Sequence, residues 1–237
     1  MSVIKAIEVF KSHQGEGKYT GTLMTFIRFK NCRKPFCMPL CKWCDTMNKM
    51  TTSLEMSFTE SDIHDLIRST NYNICFTGGE PTMYLDNVKD IINFYREEID
   101  KHVTACIHFE TNGYKIKELY SLLNNTLKLD PSKYFVAYSP KFFNDDECEK
   151  MYQYTNDLDK LLNNNRTIIK IVVGQSNSEL CETFLRNVKK ELLPLVCLMP
   201  MGITETEIKE SMPVVSELSM RYKVNISDRL HIIHSFM

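Results

Sequence analysis

Short β-rich runs alternate with stretches of helical periodicity along nearly the whole chain, and this alternation restricts the fold more than any other feature. The runs lie at residues 3–9, 23–29, 74–77, 103–110, 135–139, 168–173 and 195–199, with a last one at 229–233. Between them, Leu85, Val88, Ile92, Tyr95 and Ile99 repeat at helical spacing, as do Ile116, Leu119, Leu122 and Leu123. Ser57-x-x-Glu60 or Thr59-x-x-Asp62 offers a cap for a helix over 63–69, and Thr204-x-x-Glu207 opens another. Residues 144–165, rich in Asp, Glu and Asn, read as an exposed helix that softens at Asn163-Asn164-Asn165. Strands alternating with helices imply an α/β fold: a mainly parallel sheet with outer helices, open or closing toward a barrel.

In such folds chemistry gathers at the C-terminal ends of the strands. The distinctive short motifs fall there: Asn31-Cys32, Thr77-Gly78-Gly79-Glu80-Pro81, Glu110-Thr111-Asn112-Gly113, Ser139-Pro140-Lys141 and Met199-Pro200-Met201-Gly202. The chain has only eight glycines, and five of them (Gly15, Gly17, Gly78, Gly79 and Gly113) sit in three short motifs. Glycine serves where the backbone needs positive φ or where a ligand comes close.

The chain has 237 residues and shows neither an internal repeat nor a low-complexity linker, so residues 1–237 read as a single domain. Hydrophobic residues make up 43% and charged residues 25%, a globular composition. The net charge of −1 gives no support for a broad nucleic-acid surface and favours a small-molecule ligand. The longest apolar stretch, 192–203, is interrupted by Pro194 and Pro200; it is too short for a bilayer and reads as a buried strand. Met1-Ser2-Val3-Ile4-Lys5 lacks the pattern of a secretory leader, so the expected compartment is the reducing cytoplasm. There, nine cysteines are not a disulfide framework.

Four of those cysteines fall within thirteen residues, at Cys32, Cys37, Cys41 and Cys44. Cys37, Cys41 and Cys44 have the spacing C-x3-C-x2-C. Four thiolates would close a zinc or iron–sulfur site; three would leave one iron of a cubane open for catalysis. Soft sulfur donors favour either over hard cations, and spacing alone does not separate the two.

The cysteine loop followed by a strand ending in Gly-Gly-Glu-Pro resembles the radical S-adenosylmethionine (SAM) superfamily. The flanks narrow the resemblance: Ser12-His13-Gln14-Gly15-Glu16-Gly17, then Phe26-Ile27-Arg28-Phe29, Cys44-Asp45-Thr46, Glu110-Thr111-Asn112-Gly113, Ser139-Pro140-Lys141 and Arg229-Leu230-His231. This ordered set looks like the 7-carboxy-7-deazaguanine synthase family over nearly the whole chain. The resemblance implies a shortened TIM-like barrel holding a 4Fe–4S cluster, SAM and Mg²⁺. It implies ring contraction of 6-carboxy-5,6,7,8-tetrahydropterin to 7-carboxy-7-deazaguanine with loss of ammonia. It also implies a homodimer fed by an external one-electron reductant such as flavodoxin, with no direct contact to nucleic acid or membrane.

Residue by residue, the resemblance puts His13, Gln14, Gly15, Glu16, Arg28 and Thr77 against the pterin, Arg28 at its carboxylate. Trp43, Cys44, Asp45, Gly79, Ser139, Pro140 and Lys141 would hold SAM, and Thr46 would ligate Mg²⁺. The cluster ligands are Cys32, Cys41 and Cys44 if the first is placed from the strand end, with an insertion in the loop. By local spacing, Cys37 is the alternative first ligand. Two positions depart from the family: Met199 stands where a glutamine is usual, and the chain ends at Met237, whose carboxylate is a further substrate position in some members. His231 reads as a core histidine outside the site. A glycyl-radical-enzyme activating protein, acting on a protein backbone, and a zinc-binding interaction module are the competing readings.

Overall fold

The computed structural model describes residues 3–36, 41, 44 and 46–234, with position 48 in backbone only. Cys37, Trp43, Asp45 and Met237 lie outside the described residues. Ten strands occur among the described residues: β1 (Ile4–Ala6), β2 (Glu8–His13), β3 (Leu23–Phe29), β4 (Met56–Phe58), β5 (Ile74–Gly78), β6 (Ile107–Thr111), β7 (Tyr134–Tyr138), β8 (Thr167–Val173), β9 (Val196–Pro200) and β10 (Asn225–Ile226). Eight of them form one sheet in the order β10-β9-β8-β7-β6-β5-β3-β2, and β1 pairs with β4 in a small antiparallel ribbon. From β3 to β10 every pairing in the large sheet is parallel; only β2 runs antiparallel, on β3.

The two-residue period of the strands separates the molecule into a greasy outside and a chemical inside. Ile27 and Phe29 on β3, Ile74 and Phe76 on β5, Ile107 and Phe109 on β6, and Ile169, Ile171 and Val173 on β8 join the main core with the helices. Their alternating neighbours point the other way. Met24, Phe26 and Cys75 form one small cluster, and Cys106, Phe135 and Ala137 another. On that same inner face stand Arg28, Thr77, His108, Glu110 and Lys170, so a strand reading Ile-Lys-Ile packs against helices and presents a cation inward.

The strand order leaves β2 and β10 as edges, yet the chain segments beyond them meet. Gly17 N donates to Ser227 Oγ at 2.6 Å and Leu230 N to Gly15 O at 3.0 Å. The sheet is therefore wrapped into a partial barrel whose gap is bridged by the residues after β10.

Local expectations hold where packing and propensity agree. Thr59 and Asp62 form a full capping box on the helix Glu60–Arg68, and Thr204 and Glu207 on the helix Glu205–Tyr222. The 85–99 periodicity is realised as two helices, Leu85–Phe94 and Arg96–Lys101, broken at Tyr95. The 3–9 run divides into β1 and β2. The 103–110 run becomes strand only from Ile107, which pairs with Ile74; Val103 before it is 94% exposed. The 192–203 stretch enters as a 3-10 turn, Lys190–Leu195, before β9 begins. The polar 144–165 segment is helical over Asp145–Asp157 but buries Cys148, Met151 and Thr155 against the core. The expected last strand, 229–233, is instead a short helix, Leu230–Ile233. Buried Arg229 fixes the segment's start by donating to the carbonyl of Gly202, and Leu230 N donates to Gly15 O rather than to a strand edge.

Candidate active site

The wrapped sheet encloses a cavity of about 230 Å³ at the C-terminal ends of its parallel strands. The end of β2 contributes His13, and the loop after it Gln14, Gly15 and Glu16, to its wall. Strand β3 contributes Arg28, the following loop Cys32, and the turn before the helix Met47–Thr52 contributes Cys44 and Thr46. Thr77, Gly78 and Gly79 come from the end of β5, and Ser139 and Lys141 follow β7. Residues far apart in sequence thus share one cavity. Pro140 is buried but does not line it.

The glycine turn is required by the crowding around it. Gly78 has φ +99°, and a Cβ on Gly79 would sit 1.9 Å from the carbonyl oxygen of Asn31. The turn is pressed onto the end of β3: Gly79 N donates to Phe29 O at 2.8 Å and Glu80 N to Asn31 O at 2.7 Å. Below it the fully buried Glu80 carboxylate accepts from Thr82 N (3.1 Å), Thr82 Oγ1 (2.8 Å), Thr111 Oγ1 (2.6 Å) and Asn112 N (2.7 Å). Burial pushes its pKa up, and these donors offset part of the rise. Glu80 thereby ties the end of β5 to the end of β6.

Cys32, Cys41 and Cys44 all line the cavity. Cys44 N donates to Cys41 O at 3.1 Å, the tight turn expected of C-x2-C. Cys32 Sγ accepts from Asn112 Nδ2 at 3.6 Å, the kind of hydrogen bond that tunes cluster-bound sulfur. Burial pushes the Cys32 thiol up to about 11, so ionisation at neutral pH calls for a bound cation. Among the described residues no three His, Cys, Asp or Glu side chains converge as ligands of a single metal ion. A cubane presents its irons at separate corners, and three cysteines set around one cavity fit that demand.

The polar wall is a charge quartet. Lys170 Nζ donates to Glu16 Oε2 at 2.5 Å and to Glu110 Oε2. Arg229 Nε donates to Glu16 Oε1 at 3.0 Å, and His231 Nε2 stands 3.7 Å from the same oxygen. Gln14 Nε2 donates to Glu110 Oε1 at 3.2 Å, and His108 Nε2 lies 3.3 Å from it. Burial pushes the Glu16 carboxyl up, but Lys170, Arg229 and His231 outweigh it and hold it well below the usual carboxylate range. Burial likewise raises Glu110, and Lys170 with His108 reverses the shift downward. For Lys170, burial lowers the pKa and the two carboxylates raise it further, so the ammonium stays charged.

Arg28 is committed on one side. Its Nε donates to Glu8 at 2.6 Å, its Nη1 to Thr46 Oγ1 at 2.8 Å, and its guanidinium lies 5.2 Å from the Phe10 ring centre. Two of five N–H donors are thus used by this pairing.

Glu110, Lys170 and Arg229 received no role from the sequence, and His231 was placed outside the site; all four line the cavity. The signals were present. Lys170 is the one charged residue in the apolar strand β8, and His108-x-Glu110 puts two polar groups on one face of β6. Met199, the departure from the family, is buried and lines the cavity.

No family model matches the chain. Several curated proteins match part of it. The 7-carboxy-7-deazaguanine synthase of Thermoplasma acidophilum is 33% identical over 107 residues, covering 45% of each chain. That of Methanocaldococcus jannaschii is 28% identical over 184 residues, covering 70% of this chain and 69% of the relative. That of Bacteroides thetaiotaomicron is 35% identical over 109 residues, covering 46% of this chain and 52% of the relative. The matched region thus spans about half the length of two of these relatives and about two thirds of the third. Among solved structures, QueE from Escherichia coli superposes with a TM-score of 0.53 at 18% identity, over 95% of this chain and 93% of that one. The anSMEcpe enzyme, solved with AdoMet and a Cp18Cys peptide, superposes at 0.55 with 14% identity, over 83% of this chain and 60% of that one. The chain is thus similar in sequence to 7-carboxy-7-deazaguanine synthases, and it shares the α/β fold, with its mostly parallel central sheet, of QueE and anSMEcpe.

Proposed function

We propose that the chain is a 7-carboxy-7-deazaguanine synthase, converting 6-carboxy-5,6,7,8-tetrahydropterin to 7-carboxy-7-deazaguanine with loss of ammonia. One observation carries the reading: the ordered motifs from the loop after β2, β3, the cysteine loop, β5 and β7 surround a single cavity. Cys32, Cys41 and Cys44 would hold a 4Fe–4S cluster, and Gly79, Ser139, Pro140 and Lys141 would hold SAM with Trp43, Cys44 and Asp45. When bound, the cluster and SAM would supply the radical chemistry for hydrogen abstraction from the pterin.

The chain's own residues orient the substrate and keep water away. Glu16 and Glu110 are ionised acceptors for ring N–H groups, and Gln14 is fixed against Glu110. His13, Gly15 and Thr77 complete the contacts to the ring. The remaining donors of Arg28 face the carboxylate of the substrate. Thr46 is the oxygen donor for Mg²⁺; its hydroxyl accepts from Arg28 in this structure, so the metal would share or displace that contact. An external one-electron donor such as flavodoxin and a homodimeric assembly complete the proposal.

Anaerobic reconstitution followed by incubation with the pterin, SAM, Mg²⁺ and dithionite tests it. The expected product is the deazaguanine, with 5′-deoxyadenosine detected beside it. Formation of 5′-deoxyadenosine without deazaguanine would redirect the assignment to another radical SAM substrate, such as a protein backbone. Iron content of the Cys32→Ala and Cys37→Ala variants identifies the first ligand: Cys32→Ala is expected to lose the cluster and Cys37→Ala to keep it.

A further inference from the structure

Lys170 is a charged residue of the cavity wall whose ammonium pairs with two carboxylates drawn from different parts of the sheet. Its side chain is 4% exposed. A lysine buried this deeply is unfavourable unless paired, and it is paired twice, with Glu16 from the loop after β2 and Glu110 from β6. Each carboxylate is held at its other oxygen by a different group: Glu16 by Arg229, Glu110 by Gln14. The backbone carbonyl of Lys170 accepts from Ser139 Oγ at 2.8 Å, and Lys141 Nζ donates to that same hydroxyl at 2.6 Å. One residue of β8 therefore braces the acceptor wall with its side chain and the Ser139–Lys141 rim with its main chain.

We propose that Lys170 is a positioning residue that holds Glu16 and Glu110 as a fixed pair of hydrogen-bond acceptors for the N–H edge of the uncharged ring of a heterocyclic substrate. Two carboxylates face two permanent cations, Lys170 and Arg229, so the wall carries no net charge. A neutral donor edge can then be desolvated against it, and a cationic ligand gains no net attraction. The bracing rests on the geometry alone; the identity of the ligand rests on the pterin reading.

Removing the ammonium affects the two carboxylates unequally. Glu16 keeps Arg229, with His231 beside it. Glu110 is left facing Glu16, the neutral Gln14, His108 on its own strand and the Cys75 thiol on β5, with no permanent cation among the described residues in contact. Burial is then no longer outweighed, and Glu110 takes up a proton.

The test uses the full chain as Lys170→Met and Lys170→Arg variants. In protein labelled with δ-13C glutamate, with Glu110→Gln to assign the signal, wild-type Glu110 is expected to stay ionised between about pH 5 and 9. In the methionine variant it is expected to protonate near neutrality, and in the arginine variant to remain ionised. Binding of the carboxytetrahydropterin to the methionine variant is expected to weaken roughly tenfold or more at neutral pH and to recover as the pH rises. Lys170→Gln, which retains volume and a donor, repeats both readings should the methionine variant fail to fold. A Glu110 signal that stays ionised down to about pH 5 without Lys170 overturns the proposal. So does wild-type pterin affinity at every pH. If the wild type itself binds no pterin, the pterin reading falls, and the NMR titration alone decides whether Lys170 holds the pair.

Discussion

At the scale of single residues, the molecule invests its buried polar groups in joining strand ends to one another. Glu80 is the clearest case, one carboxylate accepting from Thr82, Thr111 and Asn112. Truncation by Glu80→Ala leaves buried donors without an acceptor, and is expected to cost about 3 kcal/mol, or roughly 6–12 °C of Tm for a domain of this size. Thermal melting checks the stability, and cluster content should fall with it, because Asn112 also donates to Cys32. Such partnerships were only partly legible beforehand. The motif Thr77-Gly78-Gly79-Glu80-Pro81 marked the place, but nothing in it says that Glu80 points down to Thr111 rather than into the cavity. Glu110 and Lys170 were visible as polar residues in apolar strands. Their pairing needed the register of β6 through β8, which spacing along the chain does not contain.

Among the elements, the short helix Leu230–Ile233 and the loop after β2 depend on each other. Leu230 N donates to Gly15 O, and a Cβ on Gly15 would lie 2.3 Å from His231 Nδ1 and 2.8 Å from its backbone nitrogen. Gly15→Ala is therefore expected to push the helix off the loop, carrying Arg229 and His231 away from Glu16. Circular dichroism should change little, while pterin affinity falls about tenfold or more, since misplacement of order 1 Å is enough for such a loss. This helix is also where local propensity misled. Arg229-Leu230-His231-Ile232-Ile233 has the composition of a strand, and tertiary contacts to Gly15, Glu16 and Gly202 override it. The parallel strands were legible because burial on both faces enforces short β-branched and aromatic runs between helices. Their ends were less so: Val103 has strand-forming chemistry but precedes the point where β5 offers a partner.

For the whole molecule, the buried charge quartet makes stability a function of pH. Glu16 and Glu110 are both held below their ordinary range in the folded state. Their contribution is complete above the unfolded carboxylate pKa of about 4.3 and is lost as pH falls through the depressed folded values. Melting temperature is expected to be flat from about pH 7 to 5 and to drop below about pH 4. Glu16→Gln, less stable at neutral pH, should lose less on acidification; melts across that range read both. The bridge over the open side of the sheet has a consequence in time as well as in space. Glu16 and Arg229 are 213 positions apart, so their contact closes one of the largest loops the chain can make. A nascent chain leaving the ribosome presents residues 32–44 long before residue 229 has been made. On the proposed reading, a cluster assembled on those residues during synthesis would meet a cavity still missing the wall that Arg229 and His231 supply.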